Sequence, residues 1–283
     1  MTQSVWDSVV GQAKAVEQLH QLAVNQVHAY LFIGPEGCGK DEAARAFAAQ
    51  LITGSDNATS READLIMRGS FSDVIEVLRE GAAVDKDEAE AIIRLATTTP
   101  TESKVKVVIV HEVHLMRDSA AARLLKTIEE PSEKVIFILL ADQLVPSLAT
   151  INSRCVVVQF AANNAYRERL LANDPQFAHR QEAFASIPYK LDGSGATVAL
   201  IVDEIFELIE QATVPLIAEQ KKELDELEAR VSLTGERGSG RKALQDRHKR
   251  QLRKFNTDEL RSGLSTVAGT YHSLIVSETQ YSD

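Results

Sequence analysis

The 283 residues of this chain are enough for two domains, because a single hydrophobic core rarely grows beyond roughly 250 residues. A hydrophobic fraction of 44% and a charged fraction of 25% are typical of a globular protein, which excludes fibrous and intrinsically disordered classes. The net charge of −10 excludes a surface that binds nucleic acid throughout, since affinity for phosphates requires clustered Lys and Arg, so any DNA contact must be local.

Cysteine content and hydropathy restrict the class further. Two cysteines, Cys38 and Cys155, are too few for a disulfide framework or a four-thiolate zinc site, and each is expected to be a small, inert residue. No apolar run approaches the roughly 20 residues of a membrane span, and the N-terminus lacks the pattern of a signal peptide. We therefore expect a cytoplasmic protein with no membrane partner.

Apolar strands alternate with helices as far as residue 160. The predicted elements, in chain order, are helix 12–26, strand 29–33, helix 41–52, strand 73–78, helix 85–99, strand 104–110, helix 119–131, strand 134–141 and strand 155–160. Residues 53–64 are a turn-rich loop or a short helix, and Pro131 stops the helix that precedes it. Strands this apolar are buried on both faces, so the pattern predicts an α/β domain with a parallel sheet flanked by helices.

Only helices are predicted after Phe160. Residues 196–231 and 241–276 have the composition of long helices, and the segment LTGERGSGR between them, residues 233–241, is a glycine-rich hinge. The C-terminal third of the chain is therefore expected to be all-helical.

The segment GPEGCGKD, residues 34–41, follows a strand and opens a helix. This is the position of a phosphate-binding loop, in which backbone N–H groups surround an anion at the positive end of the helix dipole. The candidate nucleotide-binding residues of the loop are Gly34, Gly37, Gly39, Lys40 and Asp41. Lys40 would reach the outer phosphates, but Asp41 stands where a Ser or Thr normally binds Mg²⁺. Asp41 either contacts the ion or is only a favourable residue for the first turn of the helix.

The strand 104–110 ends in His111-Glu112, where ATPases of this plan have Asp-Glu. Glu112 is placed to orient the attacking water and completes the candidate nucleotide site, whereas a neutral histidine is a poor ligand for a hard cation. Two metal contacts are thus altered independently. His111 and His114 are expected to cap the strand and face solvent rather than bind zinc, because no third ligand lies nearby in sequence. The pattern predicts weak or absent hydrolysis, weak ATP binding at most, and no metal-binding residues.

Five segments resemble successive signatures of the delta-prime subunit of the bacterial DNA polymerase III clamp loader, an AAA+ family. In family order they are HAYLFIGPEGCGK (28–40), SFSDVIEVLREG (70–81), KVKVVIVHEVHLM (104–116), AAARLLKTIEEPSEKVIFILLA (120–141) and INSRC (151–155). The run LLKTIEEP, followed by a strand and SRC, is far more specific to clamp-loader subunits than the glycine loop. Residues 246–264, DRHKRQLRKFNTDELRSGL, resemble the tail region of actinobacterial-type members.

The resemblance implies a hetero-oligomeric ring that opens a sliding clamp and places it on primed DNA, with ATP bound at subunit boundaries. The implied partners are the other clamp-loader subunits, the sliding clamp and primed DNA. Members of this type commonly have eroded catalytic sites and donate an arginine to the site of a neighbour, and Arg154, in Ser153-Arg154-Cys155, matches that catalytic arginine in trans. Its guanidinium would stabilise charge on the transferring phosphoryl group. The alternative for Arg154 is an ordinary surface salt bridge.

The resemblance also implies a division into an AAA+ domain, residues 1–161, a lid, residues 162–195, and a helical collar-like domain, residues 196–283. The lid is shortened to about one or two helices, with Arg167 or Arg169 as a candidate sensing arginine. Many members carry four cysteines of a zinc module after the glycine loop. Residues 53–69 here contain no cysteine, so no zinc is expected.

Residues 237–254 hold eight Lys or Arg against one acidic residue. Such a block either contacts DNA phosphates or an acidic partner, or it is a solvated helix face that complements the acidic residues of 219–230. No aromatic residues are interleaved with it to support stacking on single-stranded nucleic acid.

Three hypotheses for function follow. The leading one is a clamp-loader subunit in DNA replication, part of the polymerase holoenzyme, which acts as a stator and donates Arg154 without hydrolysing ATP itself. The rival is an autonomous AAA+ ATPase that hydrolyses ATP at its own loop. A third is a DNA-binding regulatory protein that uses the basic segment.

Overall fold

The computed structural model describes residues 3–79, 84, 86–130, 132, 134–162, 165–234 and 240–280. The chain forms two compact units, Met1–Glu168 and Arg169–Asp283. The predicted helix stop at Pro131 and the centre of the predicted hinge, residues 235–239, lie outside the described residues.

A five-stranded parallel sheet forms the centre of the first unit. Its strands are β1 (Ala29–Ile33), β2 (Val74–Val77), β3 (Lys106–Val110), β4 (Val135–Ala141) and β5 (Val156–Gln159), in the spatial order β2-β3-β4-β1-β5. Each strand begins and ends within two residues of its predicted bounds, and the predicted α/β fold is confirmed. Since the paired strands all run parallel, their carboxyl ends share one edge, where the segments that follow β1, β3 and β4 meet.

Helices cover both faces of this sheet. Those of the first unit are α1 (Ala13–Val24), α2 (Lys40–Thr53), α3 (Arg61–Met67), α4 (Lys86–Thr97), α5 (Asp118–Glu129) and α6 (Ala149–Asn152), and α7 (Ala165–Asn173) follows them. Successive side chains of a strand point to opposite faces, so Tyr30 and Phe32 of β1 belong to the cluster with α1, α2 and α3, whereas Leu31 belongs to the cluster with α4, α5 and α6. Burial on both faces is the reason that these strands are apolar throughout.

Residues 53–69, which contain no cysteine, include the short helix α3. Ser60 begins it, because its Oγ accepts a hydrogen bond from the Ala63 N–H at 3.1 Å. Ala63 and Ile66 are fully buried in the cluster that includes α2, so hydrophobic packing holds this segment in place. Across the described ranges, no group of three or more His, Cys, Asp or Glu side chains is arranged to hold a metal ion.

The loop before β3 is organised by the buried carboxylate of Asp73. This side chain accepts hydrogen bonds from the N–H groups of Thr101, Glu102 and Ser103 at 2.7–2.8 Å. Burial raises the pKa of Asp73, but these hydrogen bonds outweigh it and lower the pKa to about 2. The charged form of Asp73 is therefore a stabilising feature of the first unit.

We expect the protein to lose about 2 kcal/mol of stability as the pH falls from about 4 to about 2, because the pKa of Asp73 is about 2 in the folded chain and 3.8 in the unfolded chain. A depressed pKa contributes stability above the unfolded value, and that contribution is lost on acidification. Urea denaturation followed by Trp6 fluorescence over this pH range measures this loss of stability.

Asp73→Asn should lower stability at neutral pH by a similar amount and remove this part of the acid dependence. Asp64→Asn, at an exposed site of α3, is the control, and equal acid dependence in Asp73→Asn and wild type would contradict the assignment.

The second unit is helical. It contains α8 (Pro175–Lys190), α9 (Gly195–Thr234) and α10 (Gly240–Gln280), which pack against one another. Ile205 of α9 packs with Phe184 of α8, and α10 approaches α8 so closely at Gly263 that an added Cβ would overlap the Phe184 ring. In the described part of the chain, no helix combines the length and the apolar character that a bilayer span requires.

The segment predicted to be a lid contains α7 and α8. Arg167 is half-buried and Arg169 is exposed on α7. The lid function of residues 162–195 and the sensing role of these arginines stay predictions.

A buried ion pair joins α8 to α10. Nε and Nη2 of Arg180 donate to the two carboxylate oxygens of Glu259 at 2.8 and 3.0 Å. The two side chains are only 7% and 10% exposed, so the charges depend on each other for compensation.

Part of the basic segment 237–254 lies on α10. Its residues Arg241 and Arg247 form ion pairs with Glu228 and Glu223 of α9. These pairs support the prediction that a basic helix face complements the acidic face next to it. Contact of the segment with DNA stays a prediction.

Candidate functional site

The glycine loop, which is the predicted phosphate cradle, joins β1 to α2. Gly37 and Gly39 have φ angles of +72° and +89°, which residues with a Cβ rarely adopt, and open space surrounds the Cβ position of both. Gly34 is packed instead, because a Cβ there would lie 2.6 Å from Cβ of Phe160. The loop thus requires glycine at these positions, and binding of a phosphate group at the N-terminus of α2 stays a prediction.

Lys40 is buried and engaged within the chain. Its Nζ lies 2.8 Å from Oδ1 of Asp142 and donates to the carbonyl oxygen of Pro35 at 3.2 Å. Asp142 follows β4 directly, and its backbone N–H donates to Nδ1 of His114 at 3.2 Å. The lysine expected to contact the outer phosphates is thus paired with a carboxylate from the same sheet edge.

Asp41 and His111, which stand where ATPases of this plan are expected to have metal ligands, contact each other. Oδ1 of Asp41 lies 2.9 Å from Nδ1 of His111. The other ring nitrogen, Nε2, lies 3.3 Å from Oε2 of Glu76, and Glu76 accepts hydrogen bonds from Nε and Nη2 of Arg45 at 2.6 and 2.9 Å. We call these four residues the carboxylate–histidine cluster. It connects α2 with β2 and with the end of β3.

His111 lies between two carboxylates of the carboxylate–histidine cluster. Both ring nitrogens face carboxylate oxygens, and both can donate only when the ring carries two protons. Burial raises the pKa of Glu76, but Arg45 and His111 outweigh it and hold that pKa far below its usual range. A divalent cation at this position would have to displace the ring from Asp41. The cluster therefore does not fit Mg²⁺.

One prediction about this sheet edge is wrong. His111 and His114 do not face solvent, because their side chains are 4% and 9% exposed and both contact carboxylates. The side chains at the two altered positions, Asp41 and His111, contact each other across the edge.

Glu112 follows β3 at the same edge. Its φ of +52° lies in the left-handed region, which is uncommon for a residue with a side chain. Nε of Arg79 donates to Oε2 of Glu112 at 2.6 Å, so the carboxylate predicted to orient a water molecule is engaged in an ion pair. Its role in a nucleotide site stays a prediction.

Arg154 lies at the turn between α6 and β5. Its side chain is 41% exposed and forms an ion pair with Glu129 of α5. Nη1 donates to the carbonyl oxygen of Thr150 at 3.2 Å and to Oγ of Ser153 at 3.0 Å. These contacts are with α5, α6 and the adjoining turn rather than with the glycine loop. The surface salt bridge expected as the alternative is present, and the guanidinium is also accessible from outside the chain.

Neither cysteine has the properties of a nucleophile. Cys38 is 1% exposed, and burial raises the pKa of its thiol. Burial also raises the pKa of the Cys155 thiol to about 12. Both thiols therefore stay protonated at neutral pH, in agreement with their predicted inert character.

Five residues that shape this edge lie outside the sequence-based predictions: Glu76, Arg45, Arg79, Asp142 and Gln12. Two of them could have been identified from their place in the sequence. Glu76 is an acidic residue within the apolar strand β2, and Asp142 is an acidic residue directly after the apolar strand β4. Gln12 joins the glycine loop to the end of β5, because its Nε2 donates to the carbonyl oxygens of Cys38 and Ala161 at 2.9 and 2.8 Å. No local pattern distinguishes this glutamine from others.

Residues 11–164 match the family model described as DNA polymerase III, delta subunit. The match covers more than half of the chain. It includes the glycine loop, the carboxylate–histidine cluster and Arg154.

Individual relatives cover the chain to different extents. It is 37% identical over 161 residues to the DNA polymerase III subunit tau of Bacillus subtilis, and this alignment covers 53% of this chain and 28% of that protein. It is 30% identical over 161 residues to the DNA polymerase III subunit delta' of Pseudomonas aeruginosa, and this alignment covers 54% of this chain and 46% of that protein. The chain thus spans less than half the length of either relative. A solved DNA polymerase III gamma subunit-related protein from Thermotoga maritima is 19% identical to this chain, with a TM-score of 0.44. The alignment covers 89% of this chain and 98% of that one. The fold is assigned here from the order of the strands in the sheet.

Proposed function

Because the chain belongs to the DNA polymerase III, delta subunit family, we propose that it is a delta-prime-type subunit of a clamp loader. In this role it assembles with other clamp-loader subunits, acts as the stator while a sliding clamp is placed on primed DNA, and donates Arg154 to the ATP site of a neighbour. It binds ATP weakly at most at its own loop and does not hydrolyse it.

The contact between Asp41 and His111 carries this proposal. In a hydrolysing site of this plan, a hydroxyl group at the first position and a carboxylate at the second hold Mg²⁺, which neutralises charge on the β- and γ-phosphates. Here these two side chains lie 2.9 Å apart and satisfy each other. Lys40 is likewise paired with Asp142. The glycine cradle persists, but the residues that would neutralise phosphate charge are engaged with partners from the chain itself.

Arg154 supports the second half of the proposal. An arginine that acts in trans must be reachable from another subunit, and its guanidinium must be held in a defined direction. Arg154 is 41% exposed and is held by contacts with Glu129, Thr150 and Ser153. Its position therefore suits contact with a phosphate that belongs to another molecule.

Lys40→Ala distinguishes the proposed subunit from an autonomous ATPase. In a loader reconstituted with the other subunits of the same organism, we expect this replacement to leave ATP hydrolysis within about twofold of wild type, because the chain's own loop does not turn over. The purified chain alone is expected to show no hydrolysis. Steady-state phosphate release measures both quantities.

The control for this experiment addresses the carboxylate that Lys40→Ala leaves unpaired. Lys40→Ala/Asp142→Asn removes that charge as well, and size-exclusion chromatography shows whether each variant assembles. Hydrolysis by the chain alone that is lost in Lys40→Ala would reject the proposed function and favour the autonomous ATPase.

A further inference from the structure

The backbone at Arg154 is fixed on both sides. α6 ends at Asn152, and the Arg154 N–H closes the following turn by donating to the carbonyl oxygen of Ile151 at 3.0 Å. Ile151 is fully buried, and Val156, at the start of β5, pairs with Tyr30 of β1. The direction of the guanidinium therefore depends on what holds the side chain rather than on the backbone.

Three contacts hold the guanidinium. Nε pairs with Oε1 of Glu129, and Nη1 donates to the Thr150 carbonyl oxygen and to Ser153 Oγ. Within the described part of the chain, Nη2 donates no hydrogen bond. Because the group is planar and its donors have fixed directions, the bonded nitrogens set the plane of the group and leave Nη2 for an acceptor from another molecule.

The carboxylate of Glu129 does not stabilise the helix to which it belongs. Glu129 is the last residue of α5, where the helix dipole favours cations and disfavours acids. Its ion pair with Arg154 compensates for this position. The neighbouring Glu130 is exposed, and its carboxylate has no hydrogen bond or ion pair with the described residues, so it is a matched acid without the pairing role.

We propose that Glu129 is a positioning residue that presents Arg154 to the ATP of the neighbouring subunit, an inference that rests on the proposed arginine donation. An arginine loses much rotational freedom when it is fixed, and Glu129 imposes this loss before the phosphate arrives. Because Glu129 binds Nε and the phosphate would bind Nη2, both contacts exist at once. The benefit appears in the transition state, where charge on the phosphoryl oxygens must be stabilised.

The kinetic test uses a reconstituted loader in which only the ATP site next to this subunit is active. Glu129→Gln is expected to lower kcat about 3- to 10-fold and to change KM for ATP less than about twofold, since the lost interaction acts mainly in the transition state. Glu130→Gln should match wild type. In an Arg154→Ala background, Glu129→Gln should have no further effect, because no guanidinium remains to be positioned.

Nuclear magnetic resonance of the complete, isolated chain with isotope-labelled arginine tests the positioning without ATP. The Nε–H of Arg154 is expected to exchange slowly with solvent in wild type and in Glu130→Gln, and rapidly in Glu129→Gln. Equal exchange in all three proteins would overturn the proposal.

The kinetic outcomes separate this inference from the proposed function. If Arg154→Ala slows the loader and Glu129→Gln does not, the positioning role is overturned and arginine donation stands. A faster loader with Glu129→Gln would mean that the carboxylate restrains Arg154, which also overturns the proposal. An unchanged rate with Arg154→Ala would overturn the proposed function and the positioning role together.

Discussion

Arg154→Ala is expected to slow ATP hydrolysis at the neighbouring site of a reconstituted loader by about 10³-fold, which corresponds to about 4 kcal/mol of transition-state stabilisation. The physical reason is that a guanidinium at the γ-phosphate neutralises charge spread over its transferring oxygens. The side chain is exposed, and the backbone is anchored by Ile151 and β5, so the fold and the assembly of the ring should be unaffected. The measurement is single-turnover hydrolysis with only that ATP site active, together with size-exclusion chromatography of the complex.

Arg123 offers a matched control on the same unit. It is also an exposed arginine in an ion pair: Arg123 and Glu90 are 39% and 35% exposed, and Arg154 and Glu129 are 41% and 39% exposed. Arg123→Ala is expected to change the rate less than about twofold. Arg154→Lys, which keeps the charge but lacks the planar fork, should recover only a small part of the rate. If Arg154→Ala hydrolysed ATP as fast as Arg123→Ala, arginine donation would be rejected.

Arg180→Met is expected to lower the free energy of unfolding by about 3–5 kcal/mol. The replacement leaves the Glu259 carboxylate, only 10% exposed, without the two hydrogen bonds that Arg180 donates. An uncompensated buried charge costs more than the lost pair would suggest, because the carboxylate cannot regain its hydration between α8 and α10. Urea denaturation followed by far-UV ellipticity measures the loss.

A double replacement identifies the unpaired charge as the cause. Arg180→Met/Glu259→Met is expected to recover most of the lost stability, because two apolar side chains occupy the space without a desolvated charge. Lys190→Met breaks an exposed pair with Glu204, whose partners are 40% and 46% exposed, and should cost less than about 1 kcal/mol. Equal losses in Arg180→Met and Lys190→Met would contradict this explanation.

The sheet was predictable because its strands carry their own signal. β4, for example, is seven consecutive apolar residues that are all buried, and Tyr30, Leu31 and Phe32 of β1 pack on opposite faces as their alternation requires. The glycine loop was predictable for a similar reason, because the positive φ angles of Gly37 and Gly39 demand glycine locally. Residue type and spacing are sufficient for such features.

The partners of the site residues were not predictable in this way. His111 follows an apolar strand, a place that is compatible with exposure, and its burial depends on the acids of α2 and β2 that flank it. Lys40 gains its partner from the residue after β4, which is separated from the glycine loop by several helices. A pairing of this kind depends on which strands are neighbours, and the strand order is a property of the whole sheet.

By itself, the sequence determined the alternation of strands and helices, the glycine loop and the residue types at Asp41 and His111, because these depend on local residue type. Only the tertiary structure decided that these two side chains contact each other, that Lys40 pairs with Asp142, and that Arg154 lies exposed beside Glu129. The physical reason is the parallel topology of the sheet. It gathers the ends of strands that are far apart in the chain at one edge, and the energy of charges that meet there depends on distances and burial that no local pattern encodes.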